Sequence, residues 1–370
     1  MDAPLEAVIN LATIRQNTAA LGEHVGGAQV MAVVKADGYG HGMVQAARAA
    51  LAGGASWLGV TTVAEAVVLR EAGVGGRVLA LLDDPEAAHA EAIRRDIDLG
   101  VGSAATLRRI TAAARTAGRT ARVHLKADTG MSRGGATAAD WPALLDVALA
   151  AQAEDLVDVT GLWSHLACAD MPGHSSVSTQ LSAFRDAVEL AEKAGVHPEI
   201  RHLANTPATL TRPDTWFDLV RPGGGVYGLC TLPEGAPGWL RPAMTVRSRL
   251  VQVKRVPPGS GVSYGHRYTT TAETTLGLVP VGYAEGLPRA ASRLAQVSTS
   301  GRRWTIAGTV CMNQFVLDLG DAPAATGDEV ILFGPGDAGE PTVQEWADTL
   351  GTISYEIAIA FGCRAPRSYC

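Results

Sequence analysis

Paired cysteines are missing from this 370-residue chain. The five it has, Cys168, Cys230, Cys311, Cys363 and Cys370, are odd in number, scattered, and never spaced as CxxC. A disulfide framework and a structural zinc site are therefore excluded, and reduced thiols in a cytoplasmic protein are expected. Basic runs are missing too. Lys and Arg number 31 against 37 acidic residues, for a net charge of −6, so no surface for nucleic acid is expected. No apolar run approaches the roughly 20 residues that span a bilayer, and no membrane role is expected. The opening "MDAPLEAVIN" has no cationic region ahead of an apolar one, so a secretory leader is not expected either. Internal repeats and low-complexity segments are also lacking. What is present is apolar material for a large core, 47% of residues with 18% charged, in a chain long enough for two domains.

Eight short apolar runs alternate with Ala-rich helical patterns from about residue 29 to 225: "AQVMAVV", "WLGVTT", "RVLALL", "IDLGV", "ARVHLKAD", "VDVTGLWSHL", "EIRHLA" and "FDLVRPGG". Helical stretches such as "LRRITAAARTAG" end on Gly, as a C-cap does. Strand–helix alternation implies parallel strands joined by right-handed crossovers. Eight units suit a closed (β/α)8 barrel of about 250 residues; an open doubly wound sheet is the alternative. After "GAPGWLRPAM" the pattern changes to period two with Gly/Pro/Asp turns: "MTVRSRLVQVKRV", "TTLGLVPVGY", "RRWTIAGTV", "QFVLDLG" and "DEVILFG". This predicts a mostly antiparallel β domain, closed by a helical piece, "TVQEWADTLGTISYEIAIA". The expected domains are residues 1–238 and 239–370.

A barrel presents its chemistry at the C-terminal ends of its strands. There the first strand offers Lys35 and then Tyr39. The fifth offers Lys126, Asp128 and Arg133, and the sixth Ser164 and His165. The seventh offers His202, Asn205 and Thr206, and the eighth Arg221, Gly223, Gly224, Gly225 and Tyr227. Each has a structural reading: a solvated rim lysine, an ion-paired arginine, a core histidine, a flexible Gly loop. Together they point to pyridoxal 5′-phosphate. Lys35 would hold it as a Schiff base, a neutral linkage whose burial is tolerable. Thr206 and the amides near Gly223 and Gly224 would take the phosphate, and Arg221 would sit beside the pyridine nitrogen.

The motifs "AVVKADGYGHG", "KADTGMSR", "HLANTPA", "VRPGGGVYG", "GVSYG", "PVGYAEGL", "GTVCMNQ" and "ISYEI", in this order, resemble those of the alanine racemases, fold-type III enzymes that use pyridoxal phosphate. The resemblance spans essentially the whole chain. It implies interconversion of L- and D-alanine, supplying D-alanine for peptidoglycan, by two bases on opposite faces of the substrate: Lys35, and Tyr264 reaching in from the second subunit of a homodimer. It further implies Tyr39, Asn205, Thr206, Gly223, Gly224 and Tyr355 as cofactor-binding residues, with Arg221 at the pyridine nitrogen and His165 behind it. Arg133 would meet the cofactor and the substrate carboxylate, oriented by Lys126, which the family often carries as a carbamate. Met312 would offer a backbone contact to the substrate, and Tyr283 would line the entrance. The chain departs from the usual pattern at Glu285 and Asn313, both commonly Asp, at Thr206, commonly Ser, and at Gly224, often a branched apolar residue. The alternatives are a broader racemase that takes serine, a decarboxylase using the same cofactor, and a non-enzymatic carrier of the cofactor. The "GVSYG" and "CMNQ" segments speak against the carrier.

Overall fold

All eight apolar runs form strands, and they close into a ring. In the computed structural model, which describes residues 4–171 and 173–370, a short strand β1 (Glu6–Ile9) comes first. The barrel strands follow: β2 (Gln29–Val33), β3 (Trp57–Val60), β4 (Arg77–Ala80), β5 (Ile97–Val101), β6 (Ala121–Lys126), β7 (Val157–Trp163), β8 (Ile200–His202) and β9 (Leu219–Val220). Neighbours from β2 to β8 pair in parallel, and β9 pairs with β2. Two backbone hydrogen bonds join the ends of the ring, from Asp218 N–H to Arg201 C=O at 3.1 Å and from Arg221 N–H to Ala204 C=O at 3.0 Å. An open doubly wound sheet is thereby excluded.

Helices follow the strands as the alternation predicts, with local reasons for their ends. The helix Val63–Glu71 starts at a reciprocal cap between Thr62 and Glu65. The helices Ala104–Ala117 and Ser175–Ala194 stop at Gly118 and Gly195, both in the left-handed region. After β9 there is only a short turn, Gly224–Tyr227. The helix Leu11–Val25, ahead of β2, packs against that turn and takes the vacant place around the barrel. The Asn17 side chain secures it, donating to the carbonyls of Val226 and Arg241 and accepting from Arg241 N–H.

The second layer is a nine-stranded sheet. Its order is Gln252–Val256, Thr274–Val279, Phe315–Asp318, Arg302–Ala307, Gln296–Thr299, Glu329–Phe333, Met244–Arg249, β1 and Arg367–Tyr369. Every pair is antiparallel except the last, where Arg367–Tyr369 runs parallel to β1. Residues 6–9 thus lie in the sheet formed mainly by the C-terminal part of the chain. The run "MTVRSRLVQVKRV" is two strands with a break at Leu250 and Val251. The closing helical piece is two helices, Val343–Leu350 and Ser354–Gly362, separated where Gly351 turns left-handed.

The helix Ser354–Gly362 meets the barrel rim with backbone against backbone. A Cβ on Gly362 would lie 2.2 Å from the Gly40 carbonyl oxygen, and one on Gly40 2.9 Å from that of Ala358. No side chain can yield there. Gly362→Ala is therefore expected to destabilise the protein by about 1–3 kcal/mol, the usual cost of overpacking, seen as an earlier urea midpoint with unchanged slope. A midpoint equal to the parent's would show that this approach does not hold the two layers together.

Candidate active site

Lys35 follows the buried end of β2, and the chain after it turns the unusual way. Ala36, Asp37, Gly38 and Tyr39 all have φ between 51° and 64°. That conformation disfavours L-residues by roughly 1–2 kcal/mol each, so the surroundings must impose it. Glu65 accepts from Ala36 N–H at 2.9 Å with one carboxylate oxygen and from Thr61 and Thr62 N–H with the other. Asp37 accepts from Met43 N–H and pairs with Arg367 at 2.5 Å. The fully buried His41 donates from Nδ1 to the carbonyls of Gly38 and Tyr39 and stacks on Tyr227 at 4.5 Å. Glu65 and His41 escaped the sequence reading because a capping acid and a buried histidine carry no signal of their own.

Four cations converge at this end of the barrel: Lys35, Lys126, Arg133 and Arg221. Among the described residues, none of the four forms an ion pair. Burial, then the charge of Arg133, lowers the Lys35 ammonium. The same two causes bring Lys126 down to about 8, where its ammonium lies 4.6 Å over the Trp163 ring. Arg221 is buried, and burial pushes it down to about 9. It donates only to neutral acceptors: the carbonyls of Ser164 and Leu203, Nδ1 of His165 at 3.1 Å and Nδ1 of His202 at 3.1 Å. Burial and these cations hold His165 well below its ordinary value, so it stays neutral. Arg133 is exposed, at the end of a loop pinned by Asp128, whose carboxylate accepts from the N–H groups of Gly130, Met131 and Ser132. Unpaired cations drawn together at a rim are costly unless an anion joins them.

A cradle of glycines faces them. Thr206 Oγ1 accepts from Gly223 N–H at 2.9 Å and from Gly225 N–H at 3.3 Å. A Cβ on Gly223 would lie 2.2 Å from the Tyr39 hydroxyl, and one on Gly224 2.4 Å from the Tyr355 ring. Tyr39 and Tyr355 pack edge to face at 5.5 Å. Burial raises both phenols, Tyr39 to about 12, so they are neutral donors. The Asn205 carbonyl and amide oxygens are committed to the following helix, the latter capping Ala208 N–H.

Three predicted residues lie elsewhere in this single chain. Tyr264, Tyr283 and Met312 are on adjoining loops of the second layer and are 72, 43 and 56% exposed. The loops are bound together: Ser263 Oγ donates to Thr309 C=O, Tyr283 N–H to Cys311 C=O and Ala284 N–H to Met312 C=O. No hydrogen bond or ring contact joins their side chains to the barrel residues among those described.

Comparison with known proteins identifies the family. Residues 9–231 match the family model of the alanine racemase N-terminal domain, and residues 243–369 that of the C-terminal domain. The chain belongs to the alanine racemase family. It is 57% identical to the alanine racemase of Frankia casuarinae over 98% of this chain and 95% of that protein. It is 57% identical to that of Thermobifida fusca over 100% and 99%. Among solved structures, alanine racemase from Streptomyces lavendulae superimposes with a TM-score of 0.97 at 52% identity, covering 99% of this chain and 97% of that one. By family, then, the chain is an amino-acid racemase.

Two of its departures from the usual alanine racemase pattern are partners. The Asn313 amide donates to Glu285 Oε1 at 2.7 Å, while Glu285 Oε2 accepts from Gly282 N–H. Two carboxylates could not meet at that distance without one holding a proton; an amide at position 313 makes the contact a hydrogen bond. At Gly224 the Tyr355 ring occupies the space a side chain would need.

Proposed function

We propose that this alanine racemase family member interconverts L- and D-alanine with pyridoxal 5′-phosphate bound at the barrel rim. The observation that carries the reading is the gathering of Lys35, Lys126, Arg133 and Arg221, none of them ion-paired among the described residues, at the rim that also carries the Gly223–Gly225 turn. A phosphate dianion, a ring oxygen and a substrate carboxylate would supply the negative charge, and Cβ atoms at positions 223 and 224 would run into Tyr39 and Tyr355.

The cofactor supplies an electron sink for the charge left when the Cα proton departs. Lys35 would hold it covalently through Nζ. Thr206, the amides of Gly223 and Gly224, Tyr39 and Tyr355 would bind its phosphate, with Asn205 shaping the turn, and Arg221, backed by His165, would serve the ring nitrogen. Arg133 clamps the substrate carboxylate, which fixes Cα between the two acid/base groups. Lys126 has a neutral fraction near neutral pH, the form that takes up carbon dioxide as a carbamate with release of a proton, and that anion would orient Arg133. Lys35 Nζ would be the acid/base group on the D face, its neutral form made more accessible by burial and the charge of Arg133. Tyr264 of the partner subunit would be the acid/base group on the L face, Met312 would offer a backbone contact to the substrate carboxylate, and Tyr283 would line the entrance. The exposed Tyr264–Tyr283–Met312 patch supports a homodimer with shared sites, since such surfaces are normally covered by a partner. Five free thiols fit a reducing cytoplasm, where D-alanine would serve peptidoglycan synthesis.

The deciding assay is D-alanine formed from L-alanine by the protein loaded with pyridoxal phosphate. Approach to equal amounts of both enantiomers is expected. A bound cofactor without conversion of alanine would overturn the substrate, and serine would be tested next. Gly223→Ala probes the cradle: its Cβ must displace the Tyr39 hydroxyl, at an overpacking cost of about 1–3 kcal/mol, or roughly 5- to 150-fold in cofactor affinity. A spectroscopic titration giving the parental affinity would remove Gly223 from the phosphate site.

A further inference from the structure

The interior of a (β/α)8 barrel is ordinarily filled by branched apolar side chains, and one side of this one is: Met31, Trp57, Leu79, Ile200 and Leu219 form a buried cluster. The other side holds a column of polar groups. Arg221 Nη1 lies 3.1 Å from His202 Nδ1, and His202 Nε2 lies 2.8 Å from His124 Nδ1. His124 Nε2 lies 3.4 Å from Asp98 Oδ2, long for a hydrogen bond, and has no nearer partner. Asp98 in turn accepts from Arg77 at 3.0 Å and from Arg122 Nε at 2.7 Å. Asp98, His124 and His202 are completely buried, whereas Arg77 and Arg122 line an open cleft of about 400 Å³ with Glu199 and Asp158. The column thus runs from Arg221 to groups that open on solvent. Room is made for it: a Cβ at position 161 would lie 2.2 Å from His124 Nδ1, and Gly161 stands there. The Trp163 ring lies parallel to His202 at 5.7 Å.

The donors and acceptors at its two ends assign the protons between them. A guanidinium only donates, so His202 Nδ1 accepts and its proton sits on Nε2. That N–H faces His124 Nδ1, which must accept, so the His124 proton also sits on Nε2. Its nearest acceptor is Asp98 Oδ2 at 3.4 Å, with no formed hydrogen bond between them, and a carboxylate there can only accept. The Arg221 end thus sets the arrangement, and the Asp98 end is compatible with it. We propose that Asp98 is a positioning residue for Arg221: through His124 and His202 it fixes the tautomers that hold the guanidinium in place and oriented. The proposal rests on the assignment of Arg221 to the cofactor ring nitrogen.

Asparagine at position 98 tests it sharply. If its oxygen keeps the 2.7 Å bond to Arg122, its amide presents a donor both to Arg77 and to His124 Nε2. Both histidines must then reverse, which sets His202 Nδ1–H against the Arg221 N–H. If the amide faces Arg122 instead, two donors meet there. In ¹⁵N-histidine-labelled holoenzyme, the parent is expected to show His124 and His202 each as the Nε2–H tautomer. This needs no variant, and an Nδ1–H signal from either overturns the proposal. In Asp98→Asn, His202 is expected to become a tautomer mixture and the pH midpoint of the visible cofactor band to shift. Its kcat is expected to fall on the order of tenfold, as when other outer hydrogen-bond partners of a working group are removed, with KM for alanine little changed. Leu79→Ala, a cavity in the apolar half, controls for lost stability and should leave band and tautomers unmoved. Parental His202 signals and an unshifted band in Asp98→Asn would make Asp98 merely structural and overturn the proposal. A parent that binds no cofactor overturns the assignment of Arg221 to the ring, while the histidine signals still decide the chain.

Discussion

Lys35→Ala is expected to reduce L-to-D alanine conversion by at least ~10³-fold, toward the top of what one acid–base residue contributes, and to abolish the visible band of covalently held cofactor. Two functions fall on one atom, Nζ, so their loss is joint. Binding through the proposed phosphate cradle should persist more weakly, because Thr206 and the amides of Gly223 and Gly224 are untouched. Stability should not fall. The ammonium has no ion-pair partner among the described residues, and it is lowered by burial and by Arg133, so alanine removes a like charge from a crowded cationic site. The pairing of lost chemistry with a retained or raised thermal midpoint separates a reacting lysine from a solvated rim lysine. Conversion within tenfold of the parent would sink the assignment.

The second large effect is complementation. Lys35→Ala and Tyr264→Phe proteins should each be nearly inactive, yet mixed in equal amounts and left to exchange subunits they should recover activity. With random exchange half of the dimers are mixed, and each mixed dimer has one intact site of two, so about a quarter of the parental activity is expected. The basis is that Tyr264 is 72% exposed on one chain, in a patch with Tyr283 and Met312, far too open for a group that must exclude water from a proton transfer. In the proposed homodimer a second subunit covers it and brings it a substrate. Subunit exchange shown by mass, without recovered activity, would place both groups' work within one chain.

Much of the barrel was legible because its signal is local. Every one of the eight apolar runs is a strand, since each run had to be buried on both faces and each was bounded by helix formers and Gly. The second layer was read less completely. Strand β1 lies in "LEAVIN", too short to stand out, and its partner Met244–Arg249 is more than two hundred residues away. The strand Gln296–Thr299 and the hairpin Gly261–Val262 with Tyr268–Thr269 are equally brief. The last helical stretch kept an apolar period across Gly351, so its break was visible only as a left-handed φ.

The residues that offer chemistry at the rim, Lys35, Lys126, Arg133, His165, Thr206 and Arg221, could be named from sequence because strand ends are local features and the rim collects them. Their partners could not. Glu65 reads as a helix cap until the ring brings β2 beside β3 and sets its carboxylate on Ala36 N–H. Asp98 and His124 read as two polar residues in buried strands until both face inward and meet. Composition and periodicity thus determined the strands, the helices and which end carries the reactive groups, for these depend on neighbours along the chain. Which polar groups touch at the rim and inside the ring was decided by ring closure and inward orientation, which no window of sequence contains, and the exposure of Tyr264 by where the second layer places its loop.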